Sequence, residues 1–235
     1  MDQLWLLLEW VTGDMATAME GTGLTVGYAR PRDVLHRLGS DTLDQAEHAR
    51  AARISNKTRH DHFIAGRALL RHCLSAAVAN TVQPAGWQFV NGAHGKPSVK
   101  PGLPQLQFSI SHAERLVAVA ISPVAEIGID LELITGTRDT SPALDQLTHR
   151  EQAWLHQHSD IDRWPAFLQL WTAKEAVSKA MGLGCGVDFH DIEIDVPAGR
   201  ARCPDSLLDI GDHMDFDRQN IEAHGATYCF SAACM

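Results

Sequence analysis

The chain has 235 residues, 45% of them hydrophobic and 6% aromatic, a composition that fits one large or two small packed domains and excludes a disordered chain. A formal charge of −9 at pH 7 excludes general nucleic-acid binding, which needs a basic surface to neutralise phosphates. The five cysteines are odd in number and lack a C-x-x-C spacing, which excludes a disulfide framework and a structural zinc site.

The opening Leu4-Trp-Leu-Leu-Leu8 is apolar, but it is too short to cross a bilayer and runs straight into Glu9, so it predicts a buried first strand. With no export signal and reduced thiols, the expected location is the cytoplasm, without membrane attachment. A Gly-rich loop follows over Gly13 to Gly27. The pattern then predicts helices over Asp41–Ile54 and Thr58–Ala79, the second carrying Phe63, Leu70, Leu74 and Ala77 at helical spacing and Arg67 one turn before Arg71. Short strands are expected at Trp87–Val90, Leu106–Ile110, Leu116–Ser122 and Glu126–Leu133. Helical periodicity returns over Pro142–His158 and Arg163–Met181, and Gly182-Leu-Gly184 supplies a stop. Strands near His190–Val196, Leu207–Ile210 and Thr227–Ala232 close the chain. A strand, helix, strands order thus occurs twice, which predicts an α+β fold of two similar halves, residues 1–123 and 124–235.

Charge divides the halves. Nine of the twenty Lys and Arg residues lie between Arg30 and Arg71 against five acids, whereas Asp188 to Glu222 holds ten acids against three Arg. The first half is therefore the candidate for a local anion site.

Several constellations could do chemistry. In Ile127-Gly-Ile-Asp-Leu-Glu132 side chains alternate, so Gly128, Asp130 and Glu132 share one face of a strand, with Cα atoms of the two acids about 6.5 Å apart. Oxygen ligands with room for water suit Mg²⁺ better than Zn²⁺; acids protecting a sheet edge would read the same way. In Trp171-Thr-Ala-Lys-Glu-Ala-Val-Ser-Lys179, Glu175 and Lys179 share a helix face and Lys174 is adjacent. Read on its own, this is an ordinary surface ion pair; flanked by two lysines, the Glu175 carboxylate is expected to stay ionised and to serve as metal ligand or proton acceptor. Phe108-Ser-Ile-Ser-His112 ends a predicted strand at Ser111 and His112, where the imidazole could donate to phosphate or merely form a turn. Gly95-Lys-Pro97 reads as a loop tip projecting the Lys96 charge. Arg50 and Arg53, with Arg67 and Arg71, form a basic helix pair suited to phosphate or to an ordinary solvated surface.

In this order the motifs resemble the Sfp-type 4'-phosphopantetheinyl transferases, over Phe63-Ile-Ala-Gly-Arg67 with Leu70-Arg71, Gly95-Lys-Pro97, Ser109-Ile-Ser-His112, Ile127–Glu132 and Trp171–Lys179. The resemblance implies two α/β subdomains related by pseudo-twofold symmetry, with coenzyme A and Mg²⁺ in the cleft between them. It implies Asp130, Glu132 and Glu175 as magnesium ligands and Glu175 also as the base. Lys179 would contact the diphosphate and support the leaving group. Arg50, Arg67, Lys96, Ser111 and His112 would bind the nucleotide end, His112 and Arg67 facing the 3'-phosphate. The first half would then be the nucleotide-binding subdomain and the second the catalytic one. The implied reaction moves the phosphopantetheine arm of coenzyme A to a serine of an apo acyl, peptidyl or aryl carrier protein. Two internal halves permit a monomer.

Two other readings stay open. One is a zinc hydrolase using His60-x-His62 or His156-x-His158, although neither has the i,i+4 spacing of the helical zinc motifs. The other is a non-catalytic protein of the same fold that binds a nucleotide or a carrier protein. Carrier proteins are typically acidic, so a chain of −9 would need a locally basic or apolar docking surface.

Overall fold

The computed structural model describes residues 17–19, 24–92, 94–183, 186–204 and 213–235. The strands expected at Leu4–Leu8 and Leu207–Ile210, and Gly184 of the helix stop, lie outside them. The protein is mixed α/β and divides into two compact units. The first runs through Asn91 and resumes over Pro97–Ala125; the second comprises Gly92–Lys96 and Glu126–Met235.

In the first unit four antiparallel strands stand in the order β1 (Thr17–Met19), β2 (Leu24–Ala29), β6 (Leu116–Ser122), β5 (Gln107–Ala113). Strand β2 falls where the sequence predicts a Gly-rich loop. All six of its residues are buried, so the polar and apolar alternation that marks a half-exposed strand is missing. Helix α1 (Pro31–Leu38) also went unpredicted; it starts on a proline at its first turn and stops at Gly39, φ 65°. Helix α2 is shorter than expected, Gln45–Ala51, and opens on a reciprocal cap between Asp44 and Glu47. Helix α3 (Lys57–Ala77), capped by the Asn56 side chain, lays Ala65, Ala68, Leu69 and Leu74 into a core with Val117, Val119 and Trp87. A hairpin of β3 (Phe89–Asn91) and β4 (Pro97–Val99) follows.

Arg71, expected on a basic surface, is instead fully buried. Its guanidinium donates to Glu47 at 2.6 and 2.9 Å, to Asp44 at 3.2 Å and to the carbonyls of Pro84 and Trp87. A buried charge survives only when its donors are matched in this way, so Arg71 ties α2 to α3 and binds no ligand.

The second unit holds a five-stranded antiparallel sheet, β7 (Ile127–Leu133), β11 (Ala226–Cys234), β10 (Met214–Ala223), β9 (Arg200–Arg202), β8 (Glu193–Asp195). The expected helix over Pro142–His158 is a 3₁₀ turn, Ser141–Gln146, and then α4, His149–Leu155, separated by the capping residue Thr148. Helix α5 (Asp160–Met181) begins on Ser159, earlier than expected, and Gly182 at φ 69° ends it. It packs on β7 and β11.

Candidate active site

Strand β7 alternates as its sequence requires: Ile127, Ile129 and Leu131 are fully buried, and Gly128, Asp130 and Glu132 form the opposite face. Helix α5 crosses that face at Gly128, where a Cβ would lie 1.9 Å from the Ala176 carbonyl oxygen and 2.4 Å from the Ala180 nitrogen. Only glycine lets the helix backbone come so close. The approach brings Glu175 and Lys179, one turn apart, to the two strand acids.

Lys179 Nζ donates to Asp130 Oδ1 at 2.6 Å and lies 3.9 Å from Glu175 Oε2. Burial pushes the Glu132 carboxyl up to about 7, helped by the charges of Asp130 and Glu175 and opposed by Lys179 and Arg138. Burial also raises Glu175; Lys179 works against the rise and Asp130 adds to it. Of the two lysines expected to flank Glu175, only Lys179 stands beside it. Lys174 faces away, completely buried, 2.9 Å from Glu151, and donates to the carbonyls of Phe189 and Ile192. Glu151 in turn accepts from the backbone N–H groups of Thr148 and Ile194.

The register of β11 completes the patch. Ser231 lies opposite Asp130 and Cys229 opposite Glu132. Thr172 Oγ1 meets Ser231 Oγ at 2.8 Å and Cys229 Sγ at 3.5 Å while donating to the Leu168 carbonyl. Arg138, 5.3 Å over the Trp164 ring, adds a cation that acts on Glu132. Sequence reasoning gave no site role to Thr172, Ser231, Cys229 or Arg138, because strand register and loop path carry no local signal. Among the described residues no three His, Cys, Asp or Glu side chains converge on one metal-sized point. The chemistry of the set nonetheless suits a hard cation: burial first, and then mutual repulsion, raises two of the three carboxyls, an unfavourable charge that a divalent ion would offset.

The remaining candidates are Lys96 in the second unit and Ser111, His112, Arg67 and Arg50 in the first. Lys96 does not project. Its three donors go to Glu126 Oε2 at 2.7 Å and to the carbonyls of Ala180 at 3.0 Å and Ile127 at 3.2 Å, so it caps the C-terminal turn of α5. In the first unit β5 continues to Ala113, which places Ser111 and His112 within the strand and not at its end. Ser111 is buried; His112 is exposed and stacks on the buried His62 ring at 5.2 Å. His62 is held below its usual range by burial first and then by His112. Arg67 follows His62 by five residues, about 140° round the helix, and packs on the rings of Phe63 and Phe89 with Nε 3.5 Å from Glu47. The exposed Arg50 also lies over the Phe63 ring, 5.2 Å from its centre. His62, one turn before Gly66 on the face that meets β5, is thus the neighbour of His112 that the sequence reading missed. Of the histidine pairs, His60 is drawn to Asp61 and His158 to the Trp154 carbonyl.

A family model described as "4'-phosphopantetheinyl transferase superfamily" matches residues 126–229, which include the whole carboxylate patch. The chain is similar to the 4'-phosphopantetheinyl transferase HetI of Nostoc sp., 33% identical over 168 residues that cover 70% of this chain and 69% of that protein. It is also similar to AcpT of Salmonella typhimurium, 30% identical over 63% of this chain and 73% of that one. A 4'-phosphopantetheinyl transferase of Bacillus subtilis is 31% identical over 55% of this chain and 61% of that protein.

Proposed function

Because the chain belongs to the 4'-phosphopantetheinyl transferase superfamily and is an enzyme of that kind, we propose that it moves the phosphopantetheine arm of coenzyme A onto a serine of an apo carrier protein. The observation that supports this above all is the meeting of Asp130, Glu132, Glu175 and Lys179 where α5 crosses β7. As part of the proposal, the three carboxylates of the second unit would hold Mg²⁺ against the coenzyme A diphosphate. A bound Mg²⁺ would neutralise the diphosphate oxygens.

Glu175 takes the serine proton, directly or through water; a carboxyl raised by burial is a better base near neutrality than a solvated one. The serine oxygen bonds to the phosphorus of the pantetheine arm as the bond to the adenylate phosphate oxygen breaks. Adenosine 3',5'-bisphosphate departs. Lys179 donates to the oxygen on which charge develops. His112 with His62, and Arg50 with Arg67, are the first unit's two groups for the nucleotide end, with the buried Ser111 next to His112 in β5. Lys96 would reach a phosphate only by giving up Glu126 and two helix and strand carbonyls, so its part is to hold α5. The four described cysteines are free thiols, in keeping with a cytoplasmic enzyme, and no described helix is long and apolar enough to cross a membrane.

The test is to incubate the protein with coenzyme A, Mg²⁺ and a panel of apo acyl, peptidyl and aryl carriers and to read the added arm by intact mass. Glu175→Gln and Asp130→Asn are expected to fold normally and lose about 10²–10³ in rate. Transfer undiminished in both variants would refute the site; coenzyme A bound but never consumed would refute the activity.

A further inference from the structure

Lys179 has two calls on its one charge. The function proposed above, on which this inference rests, directs it to the diphosphate, yet its ammonium lies 2.6 Å from Asp130 Oδ1 and 3.9 Å from Glu175 Oε2. Lys174 is turned to Glu151, and Arg138 stands by Glu132 and Trp164. A divalent ion bound by Asp130 and Glu175 would repel strongly an ammonium bonded to the one and 3.9 Å from the other.

We propose that the Lys179 ammonium is a built-in counter-ion of the carboxylate cluster, which a divalent cation must displace from Asp130 and which the coenzyme A diphosphate then receives, so that cation and coenzyme A bind cooperatively. The side chain is equipped for such an exchange. It is a flexible, half-buried stem, 30% accessible, and its three donors are not fixed by a planar fork as those of an arginine are. By linkage, whatever coenzyme A adds to cation affinity, the cation adds to coenzyme A affinity.

Mn²⁺ titrations followed by electron paramagnetic resonance test this on the wild type, Lys179→Met and Lys179→Gln, each with and without coenzyme A. Without coenzyme A, both variants are expected to bind Mn²⁺ about tenfold tighter than the wild type, within the usual range for coupled sites. Coenzyme A should tighten Mn²⁺ binding by a larger factor in the wild type than in either variant. Variants that bind Mn²⁺ no tighter than the wild type overturn the exchange. So does a wild type whose Mn²⁺ affinity ignores coenzyme A, a result that requires no variant to fold. If none of the three binds Mn²⁺ even with coenzyme A, the cation site itself falls and the proposed function with it. If transfer proceeds normally while the three affinities agree, the exchange alone falls.

Discussion

Glu132 shares its face of β7 with Asp130 and feels the charge of Glu175, and burial pushes its carboxyl from the ordinary 4.5 up to about 7. An acid raised on folding holds its proton longer folded than unfolded. Its contribution to stability is therefore fully present below about pH 4.5 and is lost as pH rises through about 7. Glu132→Gln keeps the shape and removes the titration. Calorimetric melts should show variant and wild type nearly level at pH 5 and the variant higher at pH 8, by about 2–4 °C for each kcal/mol relieved in a chain of this length. Adding Mg²⁺ at pH 8 should raise the wild type more than the variant. An offset that is the same at both pH values would mean that Glu132 does not carry the strain. Partial exposure of the side chain moderates the size of the effect but not its sign.

Between elements, the site depends on how closely α5 lies on β7. Gly128→Ala sets a Cβ against helix backbone at 1.9 and 2.4 Å, which no rotamer change can relieve, so the helix must lift and carry Glu175 and Lys179 with it. A loss of about 1–3 kcal/mol in denaturant melts, with transfer lost beyond what the melt explains, is expected. Gly66→Ala on α3 is the control: its Cβ meets only a movable methyl, Ile110 Cγ2, at 3.2 Å, and the change should be mild. A Gly128→Ala protein as stable and active as Gly66→Ala would show that the close approach is dispensable. The buried Glu151–Lys174 pair fixes the other side of the same helix against α4 and the 189–194 segment. Lys174→Met strands a buried carboxylate and should cost about 3–5 kcal/mol, whereas replacing both partners by apolar residues should recover most of it, as a double-mutant cycle would show.

Across the whole molecule, what the sequence reveals and what it hides follow from range. Alternation in Ile127–Glu132 and the i,i+4 spacing of Glu175 and Lys179 are local, and both appear in the structure as read. Strand β2 hides because both its faces are buried, and β10 because its middle, Asp217 to Asn220, is polar throughout. Arg71 and Lys174 look like surface cations until distant acids are seen to enclose them. The direction of a charged side chain is settled by residues 23 or 24 positions away, which no local pattern records. The same range governs charge. The chain carries −9, but its basic surplus lies between Arg30 and Arg71, where Arg53 and Arg59 are exposed and form no ion pair with any described residue. An acidic carrier would therefore be repelled by the molecule as a whole and attracted by this segment, contact range deciding once salt has screened the rest beyond about 10 Å. Reversing Arg53 and Arg59 to Glu should raise KM for an acidic carrier several-fold and flatten its dependence on salt, while KM for coenzyme A stays unchanged. If KM for the carrier is untouched, the segment is not where the carrier docks. If KM for coenzyme A rises as well, these arginines serve the nucleotide and the basic surplus is a substrate site, not a docking face.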